Sequence, residues 1–129
     1  MAVTEGLQVV DCGSGVYACG MTALVPLPQV LDVVHALAIR AVICMALTPD
    51  RRLQAAAKEH GFTYVHSVLR AGSRPSWARR LVGDIARAAK DGCVLVAGET
   101  LGGRTLALAR SAATGQPMTT RGVSAPRGL

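Results

Sequence analysis

Between positions 94 and 105 the chain reads Val94-Leu95-Val96-Ala97-Gly98-Glu99-Thr100-Leu101-Gly102-Gly103-Arg104-Thr105. The apolar run spells a buried strand. Gly98, Gly102 and Gly103 give the backbone freedom to turn, and Arg104-Thr105 opens a helix. Such a turn aims successive backbone N–H groups at one point, at the positive end of a helix dipole, and so makes a cradle for an oxyanion. Arg104 adds a planar fork of donors suited to phosphate, sulfate or carboxylate. Thr100 and Thr105 are of the type that caps and supports such a loop. Glu99 has two readings. Turned outward it is a solvated carboxylate; turned inward it neutralises Arg104 and could act as acid or base on a non-phosphate substrate. His66 is the remaining candidate for proton transfer, and its plainer reading is a strand histidine hydrogen-bonded in place.

This stretch resembles the phosphate-binding loop of cysteine-dependent protein tyrosine and dual-specificity phosphatases. In that family a strand ends in His-Cys, five residues wrap the phosphate, and Arg followed by Ser or Thr begins the next helix. Arg104 and Thr105 match that pair. Counting back, the nucleophile's position falls on Gly98 and the preceding His on Ala97. Glycine has no side chain and cannot attack phosphorus. Leu101 stands where the family usually has Gly. The resemblance also implies a general acid, an Asp in the loop after the His66 strand. Here that loop reads Leu69-Arg70-Ala71-Gly72-Ser73-Arg74-Pro75, without a carboxylate. Nucleophile, preceding His and acid are absent together, so the resemblance implies a degenerate, pseudophosphatase-like member.

Two functions follow. In the first, the chain is a catalytically inactive module whose loop residues Gly98, Glu99, Thr100, Leu101, Gly102, Gly103, Arg104 and Thr105 bind an anionic group or a partner. In the second, the old pocket serves a repurposed small-molecule isomerase, lyase or cyclase in a bacterial biosynthetic pathway. Arg104 then binds substrate, with Glu99 and His66 as candidates for the chemistry. The Ala-, Arg- and Val-rich composition has a bacterial look.

The elements that must position these residues alternate. Residues 7–10 and 16–19 predict a hairpin around the Gly-rich 11–15 segment. Residues 29–38 repeat apolar positions at helical spacing after Pro26 and Pro28. Residues 40–47 form an apolar run of the buried parallel-strand type. Thr48-Pro49-Asp50 caps a helix over 51–60 that Gly61 ends. A strand over 62–68, a loop over 70–76, a helix over 77–90, the strand 93–97 and a helix over 103–113 complete the order. The expectation is an α/β fold, dual-specificity-phosphatase-like, with a mostly parallel sheet between helices. Residues 1–114 form the domain and 115–129, without periodicity, a mobile tail.

The bulk numbers narrow the partners. Half of the 129 residues are hydrophobic but only 3% are aromatic, so the core is aliphatic and offers no platform for stacking bases. A net charge of +6 favours small anions, and nothing points to nucleic acid or a membrane. The pairs Arg51-Arg52 and Arg79-Arg80 read as solvated helix faces. Cys12, Cys19, Cys44 and Cys93 lack metal-ligand spacing with His35, His60 or His66, so neither metal nor cofactor is implied. Cys44 and Cys93 read as buried small hydrophobes. Cys12 and Cys19 flank a turn and either pair or stay reduced. The N-terminal residues do not resemble a signal peptide, and the expected location is the cytoplasm. Apolar residues on more than one side of the 103–113 helix, and on the 29–38 helix, predict a homodimer.

Overall fold

The structure, a computed structural model, describes residues 3–4, 7–20, 25–46, 48–67, 75–98 and 103–116. Its elements run β1 (Val3–Thr4), β2 (Leu7–Gly13), β3 (Val16–Gly20), α1 (Leu27–Ala36), β4 (Ile39–Cys44), α2 (Arg51–His60), β5 (Thr63–His66), α3 (Pro75–Ala89), β6 (Cys93–Gly98) and α4 (Arg104–Thr114). The strands form one sheet in the order β1-β2-β3-β6-β4-β5. The β1–β2 and β2–β3 pairs are antiparallel; β3, β6, β4 and β5 run parallel. The mostly parallel α/β sheet expected from the sequence is therefore present.

Helices cover both faces. Leu7, Val9, Val42 and Leu95 pack with Val30, Val33 and Val34 of α1 and Leu53, Ala56 and Ala57 of α2. Val16, Ala18, Ala41, Ile43, Val94 and Val96 pack with Leu81 and Ile85 of α3 and Leu108 and Ala109 of α4. Because successive strand residues point to opposite faces, the continuous run Val94-Leu95-Val96-Ala97 feeds both layers. That is why a strand buried on both faces shows no alternation.

Local chemistry sets the element ends. Asp50 caps α2 by accepting from the N–H groups of Arg52 and Leu53, at 3.0 and 3.3 Å. Gly61 closes that helix in the left-handed region, φ 76°, its N–H donating to the Ala57 carbonyl. Several bounds differ from the sequence expectation. The hairpin turn is the tight Ser14-Gly15 pair, because Gly13, Ser14 and Gly15 all take positive φ and let the strands extend to meet it. α1 starts two residues early, at Leu27, with Pro28 in its first turn where no N–H is needed. β4 ends at Cys44 rather than at 47, and β1 was not foreseen.

Among the described residues all four cysteines are free thiols. Cys19 and Cys44 are buried, but Cys93 is only partly so, a correction to its reading as a buried hydrophobe. Cys12 and Cys19 cannot be close, because Cys19 lies opposite Val9, toward the far end of the hairpin. No helix among the described residues is long and apolar enough to cross a membrane. The expected tail over 115–129 lies outside the described residues beyond 116.

Candidate anion-binding site

β6 is the element on which the site is built. It is central in the sheet, with β3 on one side and β4 on the other. Its last residue, Gly98, is buried. The row behind Gly98 runs in register across four strands: Cys19 opposite Ala97, Ala97 opposite Cys44, Cys44 opposite His66. Met45 N–H donates to the Ala97 carbonyl at 2.7 Å and Ser67 N–H to the Cys44 carbonyl at 2.8 Å, so the ladder persists one residue beyond both strands. The edge from which the loop departs is thereby held rigidly.

α4 begins on the other side of the loop. Gly103 is its N-cap with φ 63° and ψ −122°, a backbone conformation open to glycine and costly for other residues. The helix ladder starts with Ala107 N–H donating to the Gly103 carbonyl at 3.1 Å. The N–H groups of Arg104, Thr105 and Leu106 thus precede the ladder, at the positive end of an eleven-residue helix. Arg104 is exposed in that first turn, whereas Thr105 is buried. Glu99, Thr100, Leu101 and Gly102 lie outside the described residues, as does the segment from Leu69 to Arg74 where the family's acid would fall.

Among the described residues, His66 is engaged by the backbone after β4. Its Nε2 donates to the Ala46 carbonyl at 2.8 Å, which ties the end of β5 to the segment after β4. It stands two strands from Ala97, about 10 Å at the usual inter-strand spacing.

Sequence reasoning missed a second cluster on the same edge. The Arg52 guanidinium donates to both Asp50 oxygens, at 3.3 and 3.0 Å, and to the Val25 carbonyl at 2.9 Å. It therefore stitches the start of α2 to Val25, two residues before α1, and is not the freely solvated arginine expected. Asp50 N–H donates to the Tyr64 hydroxyl at 2.8 Å. Burial raises the Asp50 carboxyl, but the Arg52 side chain and the Leu53 and Arg52 N–H groups more than offset it and hold the carboxyl below its ordinary range. Burial, opposed by that Asp50 N–H and reinforced by Cys44, pushes Tyr64 up to about 12. The Asp-x-Arg spacing at a helix start was the available signal. In the first turn of α1, Gln29 Oε1 is buried without a hydrogen-bond partner among the described residues.

Of the thiols, Cys19 stands in the row behind Gly98, and Cys12 lies at the other end of the sheet, beside the hairpin turn. Burial, and then the neighbouring Cys44, pushes Cys19 up to about 12, so it stays protonated at neutral pH. Burial also raises Cys12, with Arg110 pulling the other way and Asp11 adding to the rise. A groove of about 650 Å³ lies between β5 and α3, lined by Thr63, Val65, Leu81, Asp84 and Asp91.

No protein-family model matches the chain, and no curated protein matches it by sequence. Solved structures do match in shape. TpbA of P. aeruginosa superposes with a TM-score of 0.68 at 16% identity, over 84% of this chain and 63% of that one. The core catalytic domain of the PP-IP phosphatase SIW14 of S. cerevisiae, solved with citrate, gives 0.65 at 9% identity, over 78% and 60%. DUSP15 gives 0.54 at 16% identity, over 78% and 60%. A cysteine-to-serine variant of TpbA has been solved with pTyr. The chain spans less than two thirds of the length of these structures. The fold of this chain is the dual-specificity-phosphatase fold.

Proposed function

We propose that this chain is a phosphatase-like binding protein that takes an anionic group at the loop between β6 and α4 and does not hydrolyse phosphate esters. The observation that carries this reading is Gly98. The residue that ends the central strand, six before the Arg104 that opens the next helix, has no side chain to attack phosphorus. The remaining cysteines do not replace it, since none has an arginine six residues on. What persists is the anion-binding half of the site: helix N–H groups, glycines and a guanidinium.

The ligand class follows from the same groups. A planar guanidinium fork and a ring of N–H donors serve phosphate, sulfate and carboxylate alike. The pTyr and citrate found with two similar structures belong to that chemical range. Without a resident thiolate the pocket lacks one negative charge, which favours binding of an anion. Ligand-observed NMR with phosphate, sulfate, citrate and phosphotyrosine tests the reading. Binding by the wild type and its loss in Arg104→Ala support it; equal signals from both proteins overturn it.

Self-association belongs to the same reading, through a different surface from the one expected. In α4, Leu108 and Ala109 face the core and Leu106, Ala112 and Ala113 pack partly against it. In α1, Val30, Val33 and Val34 are buried. The exposed large hydrophobic residue among those described is Val65, 43% exposed on the edge strand β5. Among the described residues β5 is an edge strand with a half-exposed valine and no Lys, Arg, Asp or Glu of its own, so it carries no charged guard against pairing. Antiparallel pairing of β5 with a second copy is the symmetric solution.

A further inference from the structure

At the end of the sheet opposite the loop, the last turns of α1 and α2 bring two imidazoles together. His35 Nε2 and His60 Nδ1 lie 3.1 Å apart, with ring centroids 5.1 Å apart and planes inclined at 60°. Both side chains are exposed. We propose that His35 and His60 form a two-histidine site for a divalent transition-metal ion of the zinc class, which clamps α1 to α2.

Three features support this. The first is spacing. Zinc binds imidazole nitrogen at about 2.0–2.1 Å, so two nitrogens 3.1 Å apart subtend an angle of about 100° at a shared ion, close to tetrahedral. Without metal, one ring must donate an N–H to the other ring's lone pair. With metal, a small rotation of two exposed rings turns both lone pairs onto one ion. The second is the field. Each histidine sits in the last turn of its helix, and the helix carbonyl ends carry partial negative charge that favours a cation. Asp32, exposed and one turn before His35, adds to that field; Lys58, two residues before His60, opposes it. The third is rigidity. Each histidine is followed within a few residues by a strand, β4 at Ile39 and β5 at Thr63, so the two helix ends are fixed by adjacent strands of one sheet. The described residues contain no group of three or more His, Cys, Asp or Glu placed to hold a metal. The described residues therefore supply two ligands, and water can complete the shell. The site adds stability rather than chemistry, because it lies at the opposite end of the strands from Gly98.

Calorimetric titration of the full chain with zinc chloride tests this. One ion per chain is expected, with binding weakened at least tenfold in His35→Ala and in His60→Ala, the scale on which ligand-shell changes act. Cys12→Ser and Cys93→Ser, which remove the two partly exposed thiols, should each bind like the wild type. Zinc should raise the unfolding temperature of the wild type and of both serine variants but not of either histidine variant. Wild-type binding weaker than about 1 mM (about −4 kcal/mol) overturns the proposal. So does wild-type affinity in either histidine variant, or loss of binding in Cys12→Ser or Cys93→Ser.

Discussion

Gly98, the last residue of β6, lies in register with Gly20, the last residue of β3. The rung at the root of the loop is therefore bare backbone on both strands. A cysteine at Gly98 would meet no side chain at its register partner Gly20 but would still lack an acid, because no carboxylate stands between Leu69 and Pro75. Gly98→Cys should thus fold and give at most weak turnover of p-nitrophenyl phosphate. The wild type should give none. Robust hydrolysis by the wild type that disappears in Arg104→Ala would show that another nucleophile serves the pocket.

Gly103 tests whether the backbone of the loop matters. Its φ of 63° with ψ of −122° is open to glycine, so Gly103→Ala should destabilise by about 1–3 kcal/mol. It should also weaken anion binding more than its stability loss explains, because it re-aims the N–H groups that precede the α4 ladder. Urea denaturation gives the first quantity and calorimetry with phosphate the second. A substitution neutral in both would show that the turn adapts without cost.

Asp50 gives a pH dependence of known sign. Its folded carboxyl lies below the ordinary value, so its contribution is fully present above the unfolded value of about 3.9 and is lost as pH falls through the folded value. Asp50→Ala should cost about 0.5–2 kcal/mol at pH 7 through the lost cap. Asp50→Asn keeps a capping oxygen and loses the charge that Arg52 pairs with. The stability gap between wild type and Asp50→Asn should narrow from pH 7 to pH 3 in urea denaturation. A gap that widens on acidification would contradict the assignment.

Much of this was legible in the chain, for identifiable reasons. α2 could be read because Asp50 and Gly61 bracket it with cap chemistry. β6 and α4 could be read because an apolar run, a Gly-rich turn and Arg-Thr occur in that order. What was not legible depends on contacts distant in sequence. Arg52 looks like a solvated surface residue until Val25, 27 residues away, supplies a carbonyl. His35 and His60, 25 residues apart, show no ligand spacing in the chain and meet only because two helices end side by side. The apolar content of α4 suggested an open face; α3 and β3 accept that content instead.

Val65 tests the mode of self-association. The wild type should scatter light as a dimer at micromolar concentration, and Val65→Asp should scatter as a monomer with unchanged stability, since the side chain is already 43% exposed. A wild-type monomer, or a dimer that Val65→Asp leaves intact, would remove β5 from the interface.

The most direct test of the central claim is a phosphorus NMR time course of phosphotyrosine with the purified full chain, because it reads binding and turnover together. The account predicts that the phosphotyrosine resonance shifts or broadens with wild-type protein, that Arg104→Ala abolishes this, and that no inorganic phosphate appears. Inorganic phosphate growing in proportion to wild-type protein and absent with Arg104→Ala would contradict it. So would a phosphotyrosine resonance that the wild type leaves unperturbed.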